Sequence, residues 1–320
     1  MAEYKRAKWA DWADYIRSLD DPAKNFEKPE ALDDIVVLDI SSRSMAGCYC
    51  SSLLSELGAE TIRVEPPGGD LSRTYSPNGI MHQGTGLAYL QEGRNKYHIT
   101  LNLEKPEGRD ILKTLVGNAD VLIETYPTGT MDGWGIGYEE LSKINPGLIF
   151  TSITAFGQYG RESVRKQYDY DNVSQARSGI QYGTGEVLPE GKTPAEVPYA
   201  VPTKAGPWIA WATSGTFAAL GILAALHYRN MTGEGQALDV ATAEAYERFH
   251  DYALHWYADQ GVLNERFGSL DTALWLYGFY PTKDGGVFLG GLRLEMWKAF
   301  VDIIGKWDEW GAESWTTLAP

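Results

Sequence analysis

The stretch IVVLDISSRSMAGCYCSSLLSELGAETIRV, residues 35–64, decides the fold. Its first apolar run, 35–38, predicts a buried strand, and a helix is predicted to follow from about 46 to 57. A second strand is predicted at 61–64, and the Pro-Pro-Gly-Gly sequence of 66–69 ends it. Two short strands joined by one helix are typical of a parallel β-α-β unit.

The same alternation of helix and strand continues along the chain to residue 153. A helix over 106–117 is predicted before a strand at 120–124, and a helix near 138–144 before a strand at 148–153. We therefore predict an α/β fold with a Rossmann-like large domain whose sheet is mostly parallel. In such sheets ligands bind beyond the carboxyl ends of the strands. The segments expected at those ends are 41–47, 65–73 and 124–133.

Residues 209–226 form a stretch without a charged residue that reaches the length of a membrane span. Glycine, serine and threonine residues interrupt it, so we predict a buried core helix and no membrane association. A tight turn is predicted at 232–236 and a long helix at 237–257. From residue 268 the pattern changes to short strands and a final helix, which predicts a smaller α+β domain. Its predicted elements are strands at 276–280 and 287–289 and a helix that begins near Glu295.

These elements divide the chain into four parts. An N-terminal extension, 1–34, contains an amphipathic helix predicted at 4–18, and the large domain covers 35–236. A linker helix, 237–267, then leads to the small domain at 268–320, which we expect to be incomplete.

Composition and charge exclude several classes of protein. The 320 residues include 28 Lys and Arg against 43 Asp and Glu, and the net charge of −15 argues against nucleic-acid binding. Two cysteines, Cys48 and Cys50, and five scattered histidines lack the spacing of a zinc site, so no metal is expected. The N-terminal residues hold no apolar signal segment, so we predict a cytoplasmic protein.

Three clusters carry side chains with a chemical use, and each also has a purely structural explanation. The glycines of 133–137 lack the G-x-G-x-x-G spacing of a dinucleotide loop, so a plain loop is favoured. Arg73 and the run Arg94-Asn95-Lys96 could hold phosphates or lie on a solvated surface, with equal weight. Asp169 and Asp171 lie among tyrosines, where burial could raise one pKa, although a turn or helix cap is favoured. By themselves these residues name no reaction.

Six longer motifs follow one another between residues 36 and 291. They are VVLDISSRSMAGCYCSSLLSELGAETIRVEPPGGDLSR, NKYHITLNLEKPEGRDIL, ADVLIETYPTGTMDGWGIGYEELSKINPGLIFTSITAFG, DNVSQARSG, GTFAALGILAALHYRNMTGEGQALDV and FYPTKDGGVFLGG. In this order they resemble the class III CoA-transferase family, which includes formyl-CoA transferase, carnitine CoA-transferase and alpha-methylacyl-CoA racemase. The resemblance implies a Rossmann-like CoA-binding domain, a small domain, and two chains interlinked like rings in a dimer.

The chemistry that this resemblance implies depends on one aspartate. Its carboxylate attacks the donor thioester, passes through a mixed anhydride and an aspartyl-CoA thioester, and delivers CoA to the acceptor acid. The family places it four residues before the glycine that opens the long helical motif, which is Gly215 here. That position is Trp211, and an indole cannot form an anhydride. No Asp or Glu lies between 198 and 226, which leaves Asp171 and Asp169 as the substitutes to consider.

Other family positions are altered as well. Met45 replaces a glutamine of formyl-CoA transferases, and the positions that lose a cationic residue are Tyr168, Glu104 and Gly133. The His-Asp pair of the racemase branch is Tyr170-Asp171 here, which disfavours racemase activity. The predicted CoA contacts are the positions that still match the family, namely Arg73, Asn95 and Lys96, with Arg94 as a weaker candidate.

Loss of the nucleophile together with several cations predicts a catalytically silent subunit of a heteromeric CoA-transferase. Its partner would be a homologous chain that carries the aspartate and binds most of the acyl-CoA. Within the family, the pattern most resembles the non-catalytic subunits of succinyl-CoA:benzylsuccinate CoA-transferases, which act in anaerobic toluene degradation. CoA and a carboxylic acid are then substrates, and no covalently bound cofactor is expected.

Two alternatives stay open from the sequence. One is an active homodimeric CoA-transferase that uses another carboxylate, and the other is a non-catalytic CoA-binding or scaffold protein. Family members are commonly longer and return after the small domain to finish the large one. We therefore expect this sequence to be truncated, or to depend on a partner chain to complete its fold.

Overall fold

In the described part of the chain, parallel strands form the central sheet. The computed structural model describes residues 30–310 except 194, 199, 251, 272–276 and 291–292, so the helix predicted at 4–18 lies outside the described residues. The strands are β1 (Val36–Asp39), β2 (Glu60–Glu65), β3 (Met81–His82), β4 (Thr85–Gly86), β5 (Tyr97–Thr100), β6 (Val121–Glu124), β7 (Ile149–Thr154) and β8 (Gln236–Ala241). The sheet order is β5-β2-β1-β6-β7-β8, and β3 and β4 form a separate antiparallel pair. Every neighbouring pair in the large sheet is parallel, which confirms the predicted α/β, Rossmann-like fold.

Helices cover both faces of this sheet. They are α1 (Met45–Glu56), α2 (Leu87–Glu92), α3 (Pro106–Val116), α4 (Thr130–Gly133), α5 (Tyr138–Ile144), α6 (Asp171–Arg177), α7 (Ile180–Gly183), α8 (Ile209–Thr232), α9 (Thr242–Glu247), α10 (Ala253–Gln260), α11 (Leu294–Ile303) and α12 (Trp307–Trp310), with 3-10 turns at Leu71–Thr74, Pro77–Gly79 and Ser163–Arg165. One core cluster joins α1 and α8 to Val37 of β1, and a second joins α3 and α5 to Leu38. Because these neighbours in β1 are both buried, the strand is apolar on both faces, as the run 35–38 predicts.

The long helix α8 contains the core helix predicted at 209–226. By length and composition it could cross a membrane, but 50% of its most apolar window is buried within the fold. A Cβ at Gly215 would lie only 2.5 Å from the Ala46 carbonyl oxygen, so glycine lets α8 approach the main chain of α1 closely. This contact fixes the first turns of α8, where Trp211 lies, against the start of α1.

The chain beyond α8 differs from the prediction. The long helix predicted at 237–257 is wrong, because Gln236–Ala241 is β8, an edge strand of the sheet. Leu238 and Val240 pack on the apolar cluster that α1 and α8 cover, with the two-residue period of a strand. Gly235 allows the chain to enter there, since a Cβ would lie 2.2 Å from a carbonyl oxygen just before β7. The predicted domain boundary at 236 falls inside this strand, and the four-part division stays a prediction.

A hairpin and a helix follow α10, as predicted for the smaller unit. The antiparallel strands are β9 (Tyr277–Thr282) and β10 (Gly285–Gly290), which include most of the two strands predicted here. Helix α11 begins one residue before the predicted start near Glu295. Trp297 of this helix is 1% exposed and packs against the hairpin, so the unit has a small apolar core of its own.

Candidate active site

A cavity of about 680 Å³ opens beyond the carboxyl ends of β1, β2, β5 and β6, where ligands bind in sheets of this type. All three segments that the sequence places at these ends contribute to it. Its walls are the loops that leave the strands, with residues 42–43 after β1, 66–74 after β2, 101–104 after β5, and Tyr126 and Trp134 after β6. The parallel sheet therefore brings chemically useful side chains from distant parts of the sequence into one place.

The guanidinium groups of Arg43 and Arg73 line this cavity. The Arg73 guanidinium bonds to Glu65 at 2.7 Å and lies 4.7 Å from the centre of the Tyr89 ring, while 35% of its side chain stays exposed. The Arg43 guanidinium lies 4.7 Å from the centre of the Tyr168 ring. Because each cation is held on one side and remains accessible, the cavity can bind an anionic group.

Arg43 is a residue that the sequence reasoning missed. Its φ of +58° lies in the left-handed region, which is uncommon for a residue other than glycine. The residue lies inside the first quoted motif, but it was not singled out there as a candidate contact. Its position directly after the first predicted strand, within the segment 41–47, was the signal that could have found it.

Charged side chains are also paired inside the fold, out of contact with water. Asp39 and Arg63 are 0% and 1% exposed, and they bond to each other at 2.5 Å across β1 and β2. Burial would raise the pKa of Asp39, but Arg63, Lys96 and the hydroxyls of Ser41 and Ser51 lower it to about 2. The carboxylate is therefore ionised at neutral pH, and the pair joins β1 to β2 inside the fold.

Three of the four predicted CoA contacts lie away from this cavity. Lys96 is buried and donates to a carbonyl oxygen and a hydroxyl oxygen of α1 at 3.0 and 2.8 Å. The Asn95 side chain donates to a further carbonyl oxygen of α1 at 2.8 Å, and Arg94 pairs with a glutamate at the end of that helix. These contacts hold α1 beside the start of β5. Of the predicted set, the structure places Arg73 alone on the cavity.

Trp211 occupies the position that the family resemblance gives to the nucleophile. It lies in the first turn of α8, is 3% exposed, and stacks on Tyr75 with ring centres 5.5 Å apart and planes at 21°. Tyr75 also packs on Trp208 at 6.2 Å, and its hydroxyl donates to the Arg43 carbonyl oxygen at 2.8 Å. A stacked aromatic cluster thus fills the place that the family resemblance gives to the nucleophilic carboxylate.

Asp169 is buried beside this cluster. It is 1% exposed and accepts hydrogen bonds from the hydroxyls of Ser174 at 2.8 Å and Thr242 at 2.7 Å. Burial raises its pKa to about 6, although both hydroxyls and the Trp211 indole favour the ionised form. The indole nitrogen itself has no acceptor in full hydrogen-bonding geometry. Both carboxylate oxygens accept hydrogen bonds from side chains of the fold. Asp169 therefore has a structural role here and is not exposed as a nucleophile.

Asp171, the other substitute considered, caps the helix on which Trp211 lies. One carboxylate oxygen accepts from the main-chain N–H groups of Ala210 at 2.9 Å and Trp211 at 3.1 Å. The other accepts from Gln175 at 2.7 Å and lies 3.7 Å from the Lys204 ammonium. Burial raises the pKa of Asp171, and these neighbours oppose that shift. The carboxylate therefore performs the capping role that the sequence favoured.

Two of the altered family positions line the cavity. Tyr168 and Glu104 form part of its wall, so a phenol and a carboxylate stand where the resemblance implies lysines. Met45 is fully buried in the first turn of α1, and a Cβ at Gly133 would meet open space. The wall therefore carries fewer cations for phosphate groups than the family pattern implies.

Among the residues that the structure describes, no group of three or more His, Cys, Asp or Glu side chains is arranged to hold a metal ion. The free thiols of Cys48 and Cys50 are buried in α1. Burial raises the pKa of both thiols, so both stay protonated at neutral pH and are poor nucleophiles.

The sheet and the sequence motifs that surround this cavity lead to one protein family. Residues 32–317 match the model of CoA-transferase family III, and the chain belongs to that family. The succinyl-CoA–D-citramalate CoA-transferase of Chloroflexus aurantiacus is 36% identical over 268 residues, which cover 83% of this chain and 63% of that protein. The alpha and beta subunits of the succinyl-CoA–L-malate CoA-transferase of the same organism are each 36% identical. Their matches cover 79% and 75% of this chain, and 56% of each subunit.

A solved structure shares the fold. The crystal structure of a CAIB/BAIF family protein from Brucella suis superposes with a TM-score of 0.74 at 29% identity, over 89% of this chain and 72% of that chain. The chain spans less than two thirds of the D-citramalate relative, 63% of its length. The substrates and the assembly of these relatives are therefore only proposed for this chain.

Proposed function

We propose that this chain is the catalytically silent subunit of a two-subunit CoA-transferase, and that a homologous partner chain carries the nucleophilic aspartate. The observation that carries this proposal is Trp211, which fills the family's nucleophile position and is buried against Tyr75. An indole offers no oxygen that could form an acyl anhydride. The carboxylates of Asp169 and Asp171 are bonded within the fold and do not replace it.

Relatives built from two chains support this division of labour. The L-malate enzyme of C. aurantiacus is named for an alpha and a beta subunit, and both match this chain at 36% identity. Two different chains of one family therefore occur together in that enzyme. The interlinked dimer that the family resemblance implies is part of the same proposal.

The outer face of α8 supports a partner with an apolar surface. Leu220 and Met231 on this helix are 61% and 67% exposed, and no charged residue occurs between 209 and 226. Large apolar side chains grouped on a protein surface mark contacts with other chains. We assign this face to the partner subunit.

We propose succinyl-CoA as the donor and a dicarboxylic acid such as benzylsuccinate as the acceptor. The relatives from C. aurantiacus are named for succinyl-CoA together with D-citramalate or L-malate. The choice of benzylsuccinate rests on Trp211 at the family's nucleophile position, a pattern that resembles the non-catalytic subunits of benzylsuccinate CoA-transferases. The cavity of this chain combines Arg43 and Arg73 with Glu104, so most of the acyl-CoA is assigned to the partner chain. We place the assembly in the cytoplasm, without a covalently bound cofactor.

The test is reconstitution from two separately purified chains. Formation of benzylsuccinyl-CoA from succinyl-CoA is followed by mass spectrometry of the CoA esters. We expect no turnover by this chain alone, turnover when the partner is added, and none when the partner's aspartate is replaced by asparagine. Asp169→Asn in this chain should leave turnover of the reconstituted enzyme within about twofold. Robust turnover by this chain as a homo-oligomer contradicts the proposal.

A second candidate is an active homodimer that uses Asp169 as its nucleophile. The observation in its favour is a carboxyl with a pKa of about 6 beside the family's nucleophile position. Attack on a thioester would require Ser174 and Thr242 to release this carboxylate. Incubation with succinyl-CoA and hydroxylamine would then leave a hydroxamate on Asp169, detectable by peptide mass spectrometry. Turnover without that adduct rules this candidate out.

A further inference from the structure

Asp70 joins the two loops that carry the arginines of the cavity. It lies in the loop after β2 and is 3% exposed. Its carboxylate accepts from the Ser42 hydroxyl at 2.7 Å and from the Arg43 main-chain N–H at 3.1 and 3.2 Å, both in the loop after β1. It also accepts from the Ser72 main-chain N–H of its own loop at 2.9 Å. One buried carboxylate thus connects two loops that are separate in the sequence.

These bonds hold the main chain from which both arginine side chains extend. The main chain of Arg43 is held at a φ of +58°, and the N–H that Asp70 accepts belongs to this residue. A non-glycine residue keeps such a conformation only when its surroundings enforce it. Arg73 follows in the next turn, where its N–H bonds to the Asp70 carbonyl oxygen at 3.0 Å. Loss of the Asp70 carboxylate would therefore loosen both walls of the cavity at once.

Arg63 supplies the opposite charge below Asp70. Its guanidinium lies 3.7 Å from the Asp70 carboxylate and 2.5 Å from that of Asp39. Burial would raise the pKa of Asp70, but Arg63 and the donors on Ser72 and Ser42 outweigh burial and lower it. The carboxylate is therefore charged at neutral pH, and hydrogen bonds to a charged acceptor are the strong ones.

We propose that Asp70 is a positioning residue, which fixes the loops after β1 and β2 so that Arg43 and Arg73 face one anionic ligand. The ligand class is the phosphate groups of CoA, so this inference rests on the proposed function. The Asp70 side chain is 1% exposed, so it acts through the two arginines and not on the ligand itself.

The test compares Asp70→Asn with Asp39→Asn in the full chain. Both remove a buried charge beside Arg63, but of the two carboxylates Asp70 is the one that bridges the loops. Calorimetry measures CoA binding, and mass spectrometry measures amide hydrogen exchange in 42–44 and 70–74. We expect Asp70→Asn to weaken CoA binding about tenfold or more and to speed exchange in both segments. Asp39→Asn should lower the Tm but leave CoA affinity and exchange in 70–74 near those of the unmodified chain.

The inference is overturned if Asp70→Asn changes neither CoA affinity nor amide exchange. It is also overturned if Asp39→Asn changes both quantities as much as Asp70→Asn does. If the unmodified chain binds no CoA, the assignment of the two arginines to CoA phosphates fails, while the silent-subunit proposal, which gives most of the acyl-CoA to the partner, is decided by reconstitution. Exchange then decides whether Asp70 holds the loops. Should Asp70→Asn fail to fold, Ser42→Ala removes one donor to Asp70 and should speed exchange in 70–74 to a smaller extent. No increase there counts against the inference.

Discussion

Replacing Trp211 with aspartate restores the residue type of the family's nucleophile, but the side chains around it stay those of this chain. The new carboxylate would lie against Tyr75 in an aromatic cluster and beside a second carboxyl, that of Asp169. We expect Trp211→Asp, purified alone, to show no CoA transfer. We also expect it to lose about 3 kcal/mol or more of its free energy of unfolding, because a buried ring is replaced by a charge. CoA-ester analysis and urea unfolding measure the two results.

Trp211→Phe is the matched control, since it keeps an aromatic ring on Tyr75. It should lose less stability than Trp211→Asp and be equally inactive. Measurable transfer by Trp211→Asp alone would show that the cations replaced at Tyr168 and Glu104 are not needed. The silent state would then depend on one residue.

Asp169 gives the stability of the fold a pH dependence with a definite sign. Folding raises its pKa from 3.8 to about 6 because the carboxyl is buried. The folded state therefore binds this proton more tightly than the unfolded chain. Its stabilising effect is complete below the unfolded pKa, is lost as pH rises through about 6, and amounts to about 3 kcal/mol. Asp169→Asn should remove this part of the pH dependence, as urea unfolding at about pH 4 and about pH 7 would measure.

The control for this experiment is Asp284→Asn, which removes an exposed carboxyl from the turn between β9 and β10. It should keep the fall in stability between the two pH values. If Asp169→Asn shows the same fall as the unmodified chain, the carboxyl is not the group that titrates.

Side-chain direction limits what the sequence can predict about individual site residues. Arg73 is predicted as a CoA contact because it matches the family pattern, and it also ends a segment, 65–73, expected beyond a strand's carboxyl end. Lys96 was placed in the same set, but its ammonium turns toward α1 and bonds there. Arg43 was missed because its position depends on a left-handed main chain and on the distant Asp70. Neither feature is visible in residue spacing.

The contact between α1 and α8 makes one glycine position of α8 different from another. A Cβ at Gly215 would lie 2.5 Å from the Ala46 carbonyl oxygen, whereas one at Gly221 would lie 3.4 Å from the Leu238 side chain. Gly215→Ala should therefore cost about 1–3 kcal/mol of stability, because the main chain of α1 cannot yield easily. Gly221→Ala is the matched control and should be neutral, or more stable by up to about 1 kcal/mol. Urea unfolding compares the two, and equal stability would show that α8 can move away from α1.

Secondary structure was predictable where one local signal dominated. The apolar run at 35–38 and the helix at Tyr138–Ile144 required no knowledge of distant residues. The local signal is ambiguous for β8, because Gln236–Ala241 contains residues that are also common in helices. It becomes a strand by pairing with β7, far earlier in the chain. Local composition cannot show such a pairing, since the hydrogen bonds come from another part of the sequence.

Across the molecule, the family's fold is kept while several positions that the resemblance assigns to catalysis and CoA binding are altered. The fold superposes on that of the Brucella suis protein with a TM-score of 0.74. The aromatic cluster around Trp211 lies where α8 meets the loops of that cavity. Under the proposed function, this chain acts through its assembly with a second chain.

The apolar outer face of α8 is where the whole molecule is expected to meet that chain. Leu220→Asp places a charge on a side chain that is 61% exposed, so the folded chain tolerates it while an apolar interface does not. We expect this variant to keep its Tm but to lose co-purification with the partner and the turnover of the reconstituted enzyme. Ile144→Asp is the matched control, at a position 44% exposed on the opposite face of the sheet. This variant should keep co-purification with the partner and the turnover of the reconstituted enzyme. Affinity capture of the tagged partner and light scattering measure the assembly. Full association by Leu220→Asp would place the partner surface elsewhere on the molecule.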